Sequence, residues 1–397
     1  MSVLSAPGKV ILFGEHAVVL GKTSVATGLS LRSNIQVETP KTPEQSQQIT
    51  LSFPDIQYFG VKSYDLSRLR SLPSYHNAIE TKDNLIPFEC DEQFQNELAG
   101  IADSKGIQTM LFLYSAIAKL KHGIYVHFQS DLPMGAGLGS SAGFCVCIVT
   151  VLLSMFDIYA CGGCEQCTSF EKVADTDTET TISFTPCQQQ LELINKWSLQ
   201  GEKIMHGTPS GVDNAVSTFG RALTFTRKDG YKILDRIPPL RLLIVDTKVS
   251  RSTKVLVENV INRHKTYPTL IEPVAQLIDT ISNQCIEAFN QYFTDNDMEK
   301  LQKAIELMID MNHSLLTGCF GVGHSTLDKI ATIARLHGVH AKLTGAGGGG
   351  CAIVLLRYDM TEGEVSRLRE SLKEAGGFES WEATIGDKGV QVDIINN

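Results

Sequence analysis

The chain has 397 residues, of which 43% are hydrophobic and 20% are charged. This composition is typical of globular proteins, speaks against a largely disordered chain, and at this length predicts two domains. The net charge of −9 speaks against a nucleic-acid binder, although a local positive site for a small anion stays compatible with it.

The first half of the chain predicts strands around one long buried helix. Residues 3–20 contain two apolar segments, broken by Pro7-Gly8 and by Gly14-Glu15-His16, which predict strand, turn, strand. The pattern in residues 39–108 is too weak to place elements. The further expectations are strands over 30–38 and Ile124–Ser130, helices over Met110–Lys121 and the apolar run 144–156, and a mostly irregular surface insertion over 157–186.

The second half of the chain predicts mainly helices. Helices are expected over Gln188–Met205, 210–218, 253–264, 270–292, 297–316, 325–336 and 362–375. Two apolar segments lie at Ala222–Phe225 and Leu240–Val245, and strands are expected over His340–Leu343 and Cys351–Leu356, with two final strands. We expect an N-terminal domain over residues 1–234 and a C-terminal domain over residues 235–397.

The sequence shows no segment that would direct the chain into or across a membrane. The apolar run 144–156 is shorter than the roughly 20 residues that span a bilayer. No secretory signal and no peroxisomal or retention tripeptide is visible, and ten cysteines are too few for a disulfide scaffold. We therefore expect a cytoplasmic protein with reduced thiols and no membrane partner.

A glycine-rich segment, residues 135–141, precedes the buried helix and reads Gly-Ala-Gly-Leu-Gly-Ser-Ser. Glycines allow backbone N–H groups to face a ligand, and a helix N-terminus adds a partial positive charge, so the segment predicts a phosphate site. The alternative is a tight turn with close helix packing. The segment matches neither the dinucleotide fingerprint nor the Walker A motif.

Charged residues near three other glycine turns could carry chemistry. Lys9 lies in an apolar strand, so it either extends outward to solvent or meets a carboxylate or phosphate. Glu202 and His206 share a helix face, which alone favours a surface pair, and Glu202 with Asp213 offers carboxylates for a nucleotide-bound metal. Five glycines within residues 345–350 favour close approach of the backbone to a ligand over a flexible hairpin.

The segment Cys161-Gly-Gly-Cys164-Glu-Gln-Cys167 has spacing that resembles a metal site. A fourth ligand would have to be Cys187 or a distant group. Because the segment lies in a polar insertion, the favoured interpretation is a loop with exposed thiols.

Three motifs together resemble the galactokinase–homoserine kinase–mevalonate kinase–phosphomevalonate kinase (GHMP) superfamily. They are residues 6–16 (APGKVILFGEH), 133–142 (PMGAGLGSSA) and 342–351 (KLTGAGGGGC). Residues 14–19 (GEHAVV), 206–218 (HGTPSGVDNAVST) and 246–251 (DTKVSR) are most similar to the mevalonate kinase branch of animals. The resemblance runs from residue 2 to about 395 and is weakest at 40–107 and in the 157–187 insertion.

This resemblance implies an α+β fold with two domains. The N-terminal, ATP-binding domain would be like domain 2 of ribosomal protein S5, the C-terminal domain would be ferredoxin-like with extra helices, and the active site would lie between them. The implied reaction transfers the γ-phosphoryl group of ATP to the 5-hydroxyl of (R)-mevalonate, giving 5-phosphomevalonate for isoprenoid and sterol synthesis. It also implies feedback inhibition by isoprenyl diphosphates and a homodimer.

The family pattern implies roles for individual residues. Asp213 is the candidate base and Lys9 the cation beside it, while Ser141 and Glu202 would bind Mg²⁺. Glu15 and His16 are the candidate mevalonate contacts. The candidate ATP-binding residues are Lys9, Asp55, Ser130, Gly135, Ala136, Gly137, Leu138, Gly139, Ser140 and Ser141.

Two alternatives remain open at this point. The chain could be another GHMP small-molecule kinase, or a catalytically silent member of the fold that senses a ligand. Because silent members lose chemical groups, the presence of Lys9, Glu202 and Asp213 argues against the second.

Overall fold

The structure, a computed structural model, contains two β-sheets with helices packed around them. It describes residues 2–54, 60–133, 137–165, 171–174, 180–184 and 186–396. All statements below refer to these residues.

The strands, in chain order, are β1 (Ser2–Phe13), β2 (Ser24–Glu38), β3 (Gln48–Ser52), β4 (Val61–Asp65), β5 (Ile124–Ser130), β6 (Glu171–Ala174), β7 (Thr180–Phe184), β8 (Ala222–Thr226), β9 (Gly230–Leu234), β10 (Arg241–Asp246), β11 (His340–Leu343), β12 (Cys351–Leu355), β13 (Glu379–Thr384) and β14 (Gln391–Asn396).

The α-helices are α1 (Leu66–Arg70), α2 (Glu92–Ala99), α3 (Lys105–Leu113), α4 (Ser140–Met155), α5 (Gln188–His206), α6 (Val212–Phe219), α7 (Thr253–Thr266), α8 (Pro268–Asp295), α9 (Met298–Ser314), α10 (Ser325–Leu336) and α11 (Glu362–Gly376). Short 3-10 or π-helical segments lie at Ala17–Leu20, Gln45–Gln47, Tyr75–Ile79, Tyr114–Ala118 and Leu315–Phe320.

The larger sheet has the order β4-β3-β5-β2-β1-β14-β7-β6, and β8 pairs with both β2 and β9. The last strand, β14, pairs antiparallel with β1 on one side and with β7 on the other. The chain terminus therefore completes the sheet that the N-terminus begins.

The smaller sheet has the order β11-β12-β10-β13, with antiparallel neighbours. Helices α7 to α10 lie between β10 and β11 in the chain, and α11 lies between β12 and β13. This β-α-β-β-α-β order is the ferredoxin-like arrangement with additional helices, as expected. The domain boundary expected at residue 234 falls between β9 of the larger sheet and β10 of the smaller sheet, while β14 returns to the larger sheet; the boundary stays a prediction.

Helix α4 lies in the interior of the N-terminal region. Twelve of its sixteen residues are buried, and it packs with α3 and α5 against the larger sheet. A helix that is apolar on all sides is expected only where it is covered on all sides. Its N-terminus is therefore held in place by the core of the protein.

The second strand expected within residues 3–20 is wrong. Strand β1 continues through Pro7-Gly8 with a register shift against β2. Proline, which has no N–H to donate, is tolerated there because β14 pairs with Ser2–Ser5 and does not extend along β1 as far as Pro7. After Gly14 (φ 93°) and His16 (φ 58°) the chain forms the 3-10 segment Ala17–Leu20.

The two strands within the insertion 157–186 were not predicted. Strands β6 and β7 pair with each other, and β7 pairs with β14, so this segment extends the larger sheet. Its polar composition is typical of a strand pair at a sheet edge.

Within the described parts of the chain, no helix combines the length and apolar character needed to cross a membrane.

Candidate active site

A cleft of ≈ 1110 Å³ lies between the parts of the chain that carry the two sheets. From the first part it is lined by residues of β1, the glycine-rich segment and helices α4 to α6, and from the second part by residues of α7 and the segment after β11. Among its lining residues are Lys9, Glu15, His16, Gly137, Leu138, Gly139, Ser140, Ser141, Glu202, Asp213, Arg251, Gly345 and Ala346. The residues singled out by three separate sequence motifs thus meet in one cavity.

The N-terminus of α4 opens onto this cleft. Gly137 and Gly139 both have positive φ, 81° and 79°, and the backbone N–H of Lys9 donates to the carbonyl of Leu138 at 2.8 Å. A Cβ at Gly139 would lie 3.0 Å from Cγ of Lys9, so glycine allows the segment to approach β1 closely. Exposed N–H groups at the start of a buried helix form an anion site. Gly135 and Ala136 lie outside the described residues.

Lys9 and Asp213 form an ion pair at the floor of the cleft. Lys9 Nζ lies 3.0 Å from Asp213 Oδ1, and the side chains are 7% and 36% exposed. The sequence left open whether Lys9 extends to solvent; the structure shows that it is buried against a carboxylate. Asp213 is held in the first turn of α6. The pair therefore combines a fixed cation with a carboxylate that remains accessible from the cleft.

Glu202 is a buried carboxylate close to the start of α4. Its side chain is only 3% exposed, so the interpretation of Glu202 and His206 as a surface pair is wrong for Glu202. Burial, and secondly the negative charge of Asp213, raise the pKa of Glu202 to about 7. The Ser141 hydroxyl hydrogen-bonds to Glu202 and opposes that rise, and Ser141 Oγ also lies 3.1 Å from His206 Nε2.

These side chains fit a divalent cation. Carboxylate and hydroxyl oxygens are the ligands that Mg²⁺ prefers, and a bound cation would relieve the repulsion between Glu202 and Asp213. The assignment of Ser141 and Glu202 as ligands stays a prediction.

Glu15 is fully buried and paired with Lys342 of β11. Burial raises the pKa of Glu15 and lowers the pKa of Lys342, while their mutual attraction opposes both shifts. Glu15 Oε2 has no hydrogen-bond partner in the described structure. Lys342 belongs to the third motif, but its role as the partner of Glu15 was not predicted.

His16 connects the first motif with the third. Its Nε2 lies 2.7 Å from the carbonyl oxygen of Ala346, burial lowers its pKa, and Nδ1 has no partner among the described groups. Gly345 and Gly347–Gly350 all have positive φ. Both Glu15 and His16 line the cleft, but their unsatisfied atoms are buried, and their role as substrate contacts stays a prediction.

The described structure does not bring Ser130, a predicted nucleotide contact, into the cleft. Ser130 Oγ lies 3.2 Å from Ser33 Oγ and accepts from the backbone N–H of Leu132 at 3.3 Å, and Ser130 is not among the described lining residues. Asp55 lies outside the described residues. Both assignments stay predictions.

Sequence reasoning assigned no role to Arg251, which lines the cleft. A Cβ at Gly137 would lie 2.3 Å from Arg251 Nη2, and one at Gly350 would lie 1.9 Å from Nη1. The guanidinium therefore lies against both glycine-rich segments and adds positive charge there. The sequence offered a signal for this residue, because Arg251 is the last residue of segment 246–251, which resembles the mevalonate kinase branch.

Comparison with known proteins identifies the class of protein first. The GHMP kinases N terminal domain model matches residues 108–163 and the GHMP kinases C terminal model matches residues 285–377. A solved mevalonate kinase of L. major in complex with R-mevalonate is 20% identical, with a TM-score of 0.66 and coverage of 97% of this chain and 96% of that one. A Lactococcus lactis galactokinase has a TM-score of 0.63 at 16% identity, covering 98% of this chain and 94% of that one. The fold is that of the two-domain GHMP kinases.

Relatives that match nearly the whole chain narrow this class to one family. A mevalonate kinase of Dictyostelium discoideum is 57% identical over 99% of this chain and 96% of its own. The mevalonate kinase of Homo sapiens is 37% identical over 98% of this chain and 94% of its own. The chain belongs to the mevalonate kinase family, which are phosphotransferases.

Proposed function

We propose that the protein transfers the γ-phosphoryl group of ATP to the 5-hydroxyl of (R)-mevalonate, giving 5-phosphomevalonate for isoprenoid and sterol synthesis. The observation that carries the proposal is the Lys9–Asp213 ion pair, 3.0 Å long, at the floor of a cleft onto which the N-terminus of α4 opens.

Phosphoryl transfer depends on positioning and on neutralising charge. The glycine-rich segment 135–141 and the start of α4 would hold the phosphates through backbone N–H groups, with Ser130 and Asp55 as further nucleotide contacts. Lys9 would stabilise the negative charge that develops between the acceptor oxygen and the γ-phosphate. Arg251, which lies against both glycine-rich segments, would add positive charge there.

Asp213 is proposed to accept or orient the proton of the mevalonate hydroxyl. Its Oδ1 lies 3.0 Å from Lys9 Nζ, and its side chain remains 36% exposed, so the carboxylate is held in place yet reachable from the cleft. Glu15 and His16 would contact mevalonate, since both residues line the cleft.

Ser141 and Glu202 would hold Mg²⁺. When bound, the ion would neutralise charge on the β- and γ-phosphates. Glu202 must be deprotonated to bind it, so its pKa of about 7 makes occupancy of this site depend on pH near neutrality.

Isoprenyl diphosphates are proposed as feedback inhibitors that compete with ATP. The helix N-terminus recognises a diphosphate rather than adenine, and the cleft also contains apolar lining at Phe53, Phe128 and Phe144 where a chain could lie. The resemblance further suggests a homodimer, which light scattering of the purified protein would test.

The decisive assay follows ADP release by the purified protein with Mg²⁺ and ATP. Mevalonate is expected to support turnover, whereas galactose, homoserine and phosphomevalonate are not. Turnover with one of the other acceptors alone would assign the chain to a sibling activity. Failure to turn over any of the four would favour the silent ligand sensor.

A further inference from the structure

Three cysteine side chains converge at a point outside the cleft. The Sγ atoms of Cys161, Cys164 and Cys187 all lie within 4.8 Å of one another. Cys187 is buried, and Cys161 and Cys164 are partly buried, so the expectation of exposed thiols is wrong for Cys161 and Cys164. Cys167, the remaining cysteine of the sequence pattern, lies outside the described residues.

The surrounding chain positions these thiols independently of any ligand. The side chain of Gln190, which is 3% exposed, accepts from the backbone N–H of Ala160 at 2.8 Å and donates to the carbonyl of Ile158 at 3.0 Å. Because Gln190 is in the first turn of α5 and Cys187 directly precedes that helix, these bonds hold the start of the insertion beside Cys187.

The turn between the first two cysteines is suited to metal binding. Gly162 and Gly163 both have positive φ, 66° and 79°, which returns the chain so that both sulfurs face the same side. The backbone N–H of Cys164 points to Cys161 Sγ at 3.4 Å. An N–H donor directed at sulfur stabilises the negative charge of a thiolate ligand.

We propose that Cys161, Cys164 and Cys187 bind a structural Zn²⁺ ion. Tetrahedral coordination with Zn–S bonds of about 2.3 Å places the sulfurs about 3.8 Å apart, so sulfurs within 4.8 Å need to move by at most about 1 Å. Thiolates are soft ligands that favour zinc over Mg²⁺ or Ca²⁺. A mononuclear ion fits this spacing better than an iron–sulfur cluster, in which separate irons spread the thiolates apart.

The ion would fasten the insertion to the beginning of α5. Glu202 lies fifteen residues beyond Cys187 in the same helix, roughly 22 Å away at about 1.5 Å per residue, so the zinc site is separate from the catalytic cleft. The chain between Cys164 and Cys187 includes β6 and β7. Its two ends would be joined by the ion, which lowers the entropy of the unfolded chain and stabilises this edge of the larger sheet.

The test uses the full-length protein, purified without chelators and without metal-affinity resin. Elemental analysis is expected to find about one zinc per chain. Replacement by Co²⁺ should give the visible absorption of a tetrahedral thiolate complex, a readout that needs no variant. Cys164→Ser, at a partly buried position chosen over buried Cys187, should lose the zinc. Its melting temperature should fall by at least about 5 °C, while kcat at 25 °C stays within about two-fold.

Cys319→Ser is the matched control, because Cys319 is also partly buried and lies in the other part of the chain. It should retain both zinc and melting temperature. The proposal is overturned by less than about 0.1 zinc per chain after reconstitution under reducing conditions. Iron with acid-labile sulfide, a disulfide that persists in reductant, or full zinc retention in Cys164→Ser would also overturn it.

Discussion

Replacing Glu202 with glutamine is expected to stabilise the metal-free protein while impairing catalysis. The pKa of Glu202 is raised from 4.5 to about 7 because the carboxylate is buried and faces Asp213. In the unfolded chain the group ionises freely. The folded protein without Mg²⁺ therefore holds a charge that its surroundings disfavour, and a neutral amide of similar shape removes this cost.

The magnitude and the sign follow from proton linkage. A difference of about 2.5 pKa units corresponds to about 3 kcal/mol. Because the pKa of Glu202 is higher in the folded protein than in the unfolded chain, its contribution to the stability of the wild type is fully present below pH 4.5 and is lost as the pH rises through about 7. The glutamine variant has no such loss. Its advantage should be near zero at pH 4.5 and reach about 3 kcal/mol by pH 8, or roughly 4 °C in melting temperature for a chain of this length.

The assay is thermal unfolding followed by circular dichroism in EDTA between pH 4.5 and 8.5. Glu258→Gln is the matched control, since Glu258 lines the same cleft but is exposed, and it should change the melting temperature little at any pH. In kinetics, Glu202→Gln should raise the Mg²⁺ midpoint and lower kcat. A glutamine variant that is less stable than wild type at pH 8, or whose advantage does not change with pH, would refute the reasoning.

Three further predictions concern the same cleft. Asp213→Ala should lower kcat at least 10²-fold, the low end for general-base catalysis, with little change in ATP affinity; a variant keeping more than half of the wild-type kcat would remove Asp213 from this role. Lys342→Met should lower the free energy of unfolding, measured by urea titration, by about 3–5 kcal/mol, because it leaves Glu15 buried without its cation. The double variant Glu15→Gln/Lys342→Met should recover most of this loss; a double variant that stays as unstable as Lys342→Met would show that the unpaired Glu15 is not the cause. Geranyl, farnesyl and geranylgeranyl diphosphate should raise the apparent KM for ATP without changing kcat, more strongly with chain length by at most about 0.8 kcal/mol per buried CH₂; inhibition that high ATP leaves in place would indicate a separate site.

Local sequence signals predicted the buried helix and its glycine-rich start. The apolar run 144–156 follows glycines directly, and the structure places α4 there with positive φ at Gly137 and Gly139. The helices of the second half were also predicted in type, because each has an apolar face that repeats over several turns. Such signals depend only on neighbouring residues and need no knowledge of the rest of the fold.

Features that depend on distant residues were not predictable in this way. Glu15 and Lys342 are 327 residues apart, and no local pattern indicates that they pair. Residues 17–20 are apolar enough for a strand, but the conformations of Gly14 and His16 lead into a 3-10 turn instead. The strands of residues 39–108 are short, and β4 is largely exposed, which leaves little alternation to detect.

The position of β14 has a consequence for how the larger sheet forms. Residues 391–396 form an interior strand between β1 and β7, although β1 and β14 are far apart in the sequence. Their pairing closes a very long loop, and such non-local contacts are slow to form during folding. Among the described strands, the hairpin of β6 and β7 is connected to β1 only through β14, so the edge of the sheet beside the three cysteines assembles only once that loop has closed. A substitution that weakens β14 would therefore also loosen this distant edge.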